Sequence, residues 1–242
     1  MTINAAGLDA RYLNEMIREA SDTDITLEGV NGQRFIGCAE RTKRLTIHGT
    51  AGNGLGGLLS GGTIEVFGNA QDASGDTMDS GTIIIHGTAG DGTGYAMRGG
   101  SILIEGAVGY RCGIHMKAYR EKQPLIIIGE DAGSFLGEYL AGGTIIVLGL
   151  HRATPACPIG NAPGVGMYQG RIIVMGDALP IDLDRRKVKT HLAGEREKTQ
   201  LSDLLATYCS AFHLDKDALL AHHFSIMEPD SANQYGQLYT YS

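Results

Sequence analysis

Glycine returns at a fixed interval through the middle of this chain, and that interval restricts the fold more than any other feature. Gly49, Gly68, Gly87 and Gly106 lie nineteen residues apart, and Gly129, Gly149 and Gly176 continue the series after insertions. A second series, Gly56, Gly75, Gly94, Gly113, Gly137 and Gly164, keeps step with the first. Three residues after each member stands Leu59, Met78, Met97, Met116, Leu140 or Met167. A period near twenty marks stacked supersecondary units, none of which can bury its apolar face alone.

Each unit carries one short β-rich run: Thr63–Phe67, Thr82–Ile85, Ser101–Ile104, Thr144–Val147 and Arg171–Val174. β-branched residues suit a pleated, half-buried surface. Alternation puts Ile64/Val66, Ile83/Ile85, Ile102/Ile104, Ile145/Val147 and Ile172/Val174 on one face. A nineteen-residue unit leaves no room for a helical crossover between parallel strands. The spacing therefore predicts an all-β fold, a single-stranded parallel β-helix (solenoid) in which each coil returns one strand spacing along. Glycine supplies the corners, and the Leu/Met positions stack as an internal ladder. The residues between the inward pairs, Ile84, Leu103, Ile146 and Ile173, are also apolar, and only Glu65 breaks that row. A strand apolar on both faces is buried on both. Either the chain's own C-terminal helices or a partner subunit would cover it.

Around the repeats the pattern changes. Residues 5–19 read as a short helix with Leu8, Leu13, Met16 and Ile17 on one face, a cap for the open end of the stack. Residues 24–48 hold two strand-like runs that form a first, irregular coil. Insertions at Tyr119–Pro124 and His151–Pro163 map to loops. From Asp182 to Gln200 charge dominates, as in Asp184-Arg185-Arg186-Lys187, which reads as a linker or a polar helix. Two short helices follow, Leu201–Phe212 and Lys216–His222, the second capped by Asp215. An extended tail, Phe224–Ser242, contains three tyrosines. The expected division is a cap at 1–24, repeats at 25–180, and a linker, helices and tail at 181–242.

The 242 residues include 36 Gly but only 6 Pro and no G-X-Y triplet period, so neither collagen nor disorder explains the glycine. A net charge of −7 argues against nucleic-acid or membrane-surface binding. No apolar stretch reaches eighteen residues and Met1–Asp9 lacks a signal pattern, so a cytoplasmic location is expected. Cys38, Cys112, Cys157 and Cys209 are scattered and read as free thiols.

The chemical motifs are weak. Gly52-Asn53-Gly54-Leu55-Gly56 and Gly90-Asp91-Gly92-Thr93-Gly94 read G-x-G-x-G, but strand follows where a dinucleotide fingerprint needs a helix. Asp76 and Asp91 occupy different repeat positions, and there is no Asp row for calcium. His48 and His86 stand two coils apart with Phe67 between them, a surface ladder rather than a metal site. Glu65 and Glu105 are likewise separated. Cys112 and His115 have the types of a nucleophile and base but no orienting carboxylate. We expect no catalytic, cofactor-binding or metal residue, and name Arg111, His115 and Lys117 as candidate interface residues.

The G-x-G-x-G coils, with Gly113-Ile114-His115-Met116-Lys117 followed by Gly137-Glu138-Tyr139-Leu140-Ala141-Gly142-Gly143, resemble the C-terminal GXGXG domain of the glutamate synthase large subunit, in its free-standing form. Similar coils occur in the β-helix subunits of formylmethanofuran dehydrogenase and of the formyltransferase/hydrolase complex. Gln71 replaces one glycine of the repeat. The resemblance implies a right-handed β-helix with no cofactor, a non-catalytic subunit of an oxidoreductase complex. Its implied partners are a class II glutamine amidotransferase-like subunit and an FMN/iron–sulfur synthase-like subunit, held for ammonia transfer. The chain itself opens Met1-Thr2-Ile3 without a glutaminase cysteine, and has no cysteine cluster for an iron–sulfur centre. The alternative it implies is a scaffold in a formyl-transferring complex.

Overall fold

The strand runs pair in the order they occur. A computed structural model describes residues 1–151, 156–180, 182–183 and 188–230. The strands are β1 (Thr2–Asn4), β2 (Asp24–Asn31), β3 (Arg44–Thr50), β4 (Ser60–Phe67), β5 (Ser80–Ile85), β6 (Ser101–Ile104), β7 (Leu125–Ile128), β8 (Ala141–Val147), β9 (Gln169–Met175), β10 (Val188–Leu192) and β11 (Phe224–Pro229). They form one 11-stranded sheet, β1 to β9 in sequence order and then β11 and β10. β1 to β9 are parallel, and β11 is antiparallel to both of its neighbours. The chain is mostly β, with few helices.

Register gives the pairing its energetic sense. Leu45, Ile64, Ile83, Ile102, Ile126, Ile145 and Ile172 pair in one column, and Ile47, Val66, Ile85, Ile104, Ile128, Val147 and Val174 in another. All of them are fully buried, so a slip of one residue would expose both columns. A second parallel column of single bridges joins Ala51, Ala70, Ala89, Val108, Ala132 and Ile159. Between these two contacts the glycine-rich turns bond to one another as well. The amides of Gly75, Gly94, Gly113 and Gly137 donate to the carbonyls of Leu55, Ser74, Thr93 and Cys112. Leu59, Met78, Met97, Met116 and Leu140 are fully buried in the same apolar cluster, as the ladder predicts.

The ends differ from expectation in detail. The first helix, α1 (Ala10–Glu19), starts later than its apolar pattern suggests, because Asp9 caps it by accepting from the Arg11 and Tyr12 amides at 2.8 and 3.3 Å. Ahead of it β1 adds a short strand, with Ile3 buried. The second helix, α2 (Glu195–Ala211), begins within the charged stretch rather than at Leu201; a short α3 (Lys216–Leu220) follows. The Asp184–Lys187 run and the tyrosines of the tail lie outside the described residues. No helix among the described residues is long and apolar enough to cross a membrane.

Leu103, Ile127, Ile146 and Ile173 cluster with Leu201, Leu205, Tyr208, Cys209 and Phe212 of the α2 region and with Phe224 and Ile226 of β11. The chain's own C-terminal elements therefore cover the outer apolar row. Tyr208 is fully buried and donates its hydroxyl to the Ile104 carbonyl at 3.1 Å. Burial, then the nearby Glu105 charge, push its pKa well above the ordinary value. The Gly129 amide donates to the same carbonyl at 2.9 Å, so Tyr208→Phe removes one of its two hydrogen bonds and should cost about 1 kcal/mol in urea unfolding.

Glu197 holds the start of α2. Its carboxylate lies 2.8 Å from His191 Nε2 and accepts the Gly194 amide at 2.7 Å. The His191 contact first, then that amide, lower its pKa from 4.5. Stability from a lowered carboxyl pKa is present above the unfolded value and lost as pH falls through the folded one. In Glu197→Gln the drop in melting temperature on acidification below pH 4.5 should be shallower than in the wild type.

Candidate interaction site

Each G-x-G-x-G turn places non-glycine residues at positive φ. Ala73, Arg111, Phe135 and Ala162 share one repeat position, and Leu58, Thr77, Ala96, His115 and Tyr139 share another. The backbone stacking already described holds them there, with side chains turned outward. Buried Cys112 and Met116 alternate with exposed Arg111, His115 and Lys117. Gly56, Gly75, Gly94, Gly113, Gly137 and Gly164 all have positive φ between these two rows.

Two of the three sequence-predicted residues anchor one patch. Arg111 Nε donates to Glu138 at 2.7 Å, and the Glu138 side chain is only 9% exposed, so the guanidinium neutralises a carboxylate nearly removed from water. That hydrogen bond also raises the Arg111 pKa. The same guanidinium lies over the Tyr110 ring at 4.7 Å and the Phe135 ring at 5.5 Å. His115 stacks on Tyr139 at 5.1 Å and meets Tyr95 edge-on at 6.0 Å. Lys117 is exposed and its side chain joins neither arrangement. Sequence reading missed Tyr95, Tyr110, Phe135, Glu138 and Tyr139. Their signal was positional, since they fall at the repeat positions around Arg111 and His115.

Exposed large apolar side chains concentrate here: Phe35, Leu58, Tyr95, Tyr110, Tyr139 and Val165 all lie on the turn face. Tyr, Phe and Arg are enriched at protein interfaces, where rigid rings bury area at low entropic cost. The face suits association better than bond chemistry. Cys112 is fully buried, and burial pushes its thiol up to about 12, so it is a protonated core side chain turned away from His115.

Other polar groupings are structural. His48, Phe67 and His86 stack at 5.1 and 4.4 Å, the expected ladder. His86 also sits 3.0 Å from Glu65 and 3.6 Å from Glu105, and Phe212 closes on it edge-on. The histidine thus separates the two carboxylates and marks where the helical cover ends. Asp91 matches Asp72 rather than Asp76: Asp72 accepts the Asp91 amide at 2.9 Å and Asp91 the Tyr110 amide at 2.7 Å. A cleft of about 570 Å³ between α1 and the first repeat mixes Arg11 and Arg18 with Glu15 and Glu40. Its charges are balanced, and Glu40 is already bonded to the amides of Arg41, Thr42 and Lys43. Among the described residues no group of three or more metal-ligating side chains assembles.

Known proteins resemble this chain in structure or in sequence. A chain of the formyltransferase/hydrolase complex from Methylorubrum extorquens, solved with methylofuran, superposes with a TM-score of 0.64 at 26% identity, over 84% of this chain and 71% of that one. An uncharacterized protein of Methanocaldococcus jannaschii is 42% identical over 99% of this chain and 96% of its own length. The GXGXG motif model matches residues 30–232, and the chain belongs to that family.

Proposed function

We propose that this chain is a non-catalytic β-solenoid subunit of a multi-subunit enzyme complex of the formyl-transferring kind, with the reacting groups on its partners. The observation that carries the reading is the likeness to a chain of the formyltransferase/hydrolase complex over most of the length. The stacked turns supply a rigid face, and the aromatic patch around Arg111 and His115 supplies a contact surface on it. In this reading the repeats at 25–180 are the scaffold, right-handed as the resemblance implies. Residues 1–24 cap one end and the C-terminal segment seals the outer sheet face.

A second reading has its own support. The Gly113–Lys117 and Gly137–Gly143 segments resemble the glutamate synthase domain, which favours an amidotransferase-like subunit and an FMN-dependent subunit as partners. Gentle native purification from the source, with identification of co-eluting subunits and cofactors, separates the two. An amidohydrolase-like or molybdopterin-bearing partner supports formyl transfer. An amidotransferase with an FMN protein supports the glutamate-synthase-like complex. FMN bound to the pure isolated chain, or turnover by it alone, contradicts both.

A further inference from the structure

The residues after the inward Leu/Met ladder form a row on the flank of the stack: Ser60, Asp79, Arg98, Lys117 and Ala141. Their amides fix the register. Asp79 donates to Leu59, Arg98 to Met78, Lys117 to Met97 and Ala141 to Met116, all at 2.7–2.9 Å. Arg98 and Lys117 therefore stand one strand spacing apart, about 4.8 Å. Both are exposed. Like charges set side by side are unfavourable. Asp79, the nearest carboxylate of the row, is taken by Lys122, which reaches back from the first insertion. The insertion adds a further cation, Arg120, against the Tyr119 ring at 5.2 Å, together with one exposed carboxylate, Glu121. A chain of net charge −7 thus carries a cationic ridge beside its aromatic patch.

We infer that Arg98 and Lys117 are the charged rim of a docking surface centred on Tyr95, Tyr110, His115 and Tyr139, and that its occupant is a carboxylate-rich segment of a partner subunit. This rests on the complex-subunit reading above. Interfaces place an aromatic centre inside a polar rim, and complementary rim charge steers encounter. A two-fold contact whose axis runs through the ridge would set it against itself, cation against cation. The overall negative charge disfavours a polyanion such as nucleic acid.

The test uses full-length tagged chain isolated gently from its source, treated with a carbodiimide that joins amines to carboxylates at zero length. The expected result is Lys117 coupled to Asp or Glu of a different polypeptide. Arg98→Glu/Lys117→Glu should melt at the wild-type temperature yet recover roughly 10-fold less of that polypeptide at low salt, with a smaller difference at high salt. Arg98→Gln/Lys117→Gln should show the same trend more weakly, and keeps the test valid if the reversal perturbs folding. Equal recovery by both variants overturns the inference. So does Lys117 coupled only to peptides of this same chain, or nucleic acid released by nuclease. An intact complex with undisturbed variants overturns this inference alone; a chain that purifies by itself overturns the complex-subunit reading too.

Discussion

Met97→Asp should leave the chain unable to reach its folded state. Met97 is fully buried in the ladder between Met78 and Met116, which are equally buried, with isoleucines of the sheet beside them. An unpaired charge in such a place costs about 3–5 kcal/mol. Truncating the side chain itself removes about 2–5 kcal/mol more. Together these rival the whole stability of a domain, about 5–15 kcal/mol. Met97→Leu keeps volume and polarity and should cost less than about 1.5 kcal/mol. Solubility and far-UV circular dichroism check the pair. Soluble, cooperatively melting M97D protein would remove the inward assignment of the ladder.

Gly94→Ala should be the next largest loss, and Gly92→Ala its control. Gly94 sits at φ +71°, and a Cβ there would come within 2.5 Å of Ile126 Cδ1, in the filled core. Positive φ alone costs a non-glycine residue about 1–2 kcal/mol. Forcing Ile126 off its packing adds about 1–3 kcal/mol. Gly92 has φ +64° but nothing within 4 Å of its Cβ position, so only the first cost applies. Ala73 and Ala162 already occupy the equivalent position in other repeats, at φ 58° and 54°. Urea midpoints should therefore order as wild type, G92A, G94A, with the wider gap before G94A. Equal midpoints would mean that the glycine series serves backbone conformation alone and not the close approach of turn to sheet.

The parallel columns were legible because side-chain alternation and a fixed period act together: once Ile64 and Ile83 share a face, register follows. The cover of the outer row was legible only as a need, since Leu103 and Ile146 say that they are buried but not by what. Two features escaped. β1 is too short to show alternation. β11 mixes Ser225, Glu228 and Pro229 into its run, and is held in place through pairing with the distant β9. The start of α2 escaped only in part: Glu195 and Arg196 face water, so its charged composition fits a linker and a polar helix equally, and the helix is what forms. At the site, Arg111 and His115 stood out as polar side chains in a glycine-rich coil. Tyr95, Tyr139 and Glu138 needed the third dimension, because stacking brings residues of separate repeats within reach of one ring or one guanidinium.

Native mass measurement of the chain released gently from its source tests the central claim most directly. The account predicts a hetero-assembly of fixed composition, containing this 25.6 kDa chain together with larger polypeptides that carry the catalytic groups. A lone 25.6 kDa species, or copies of this chain only, would contradict it.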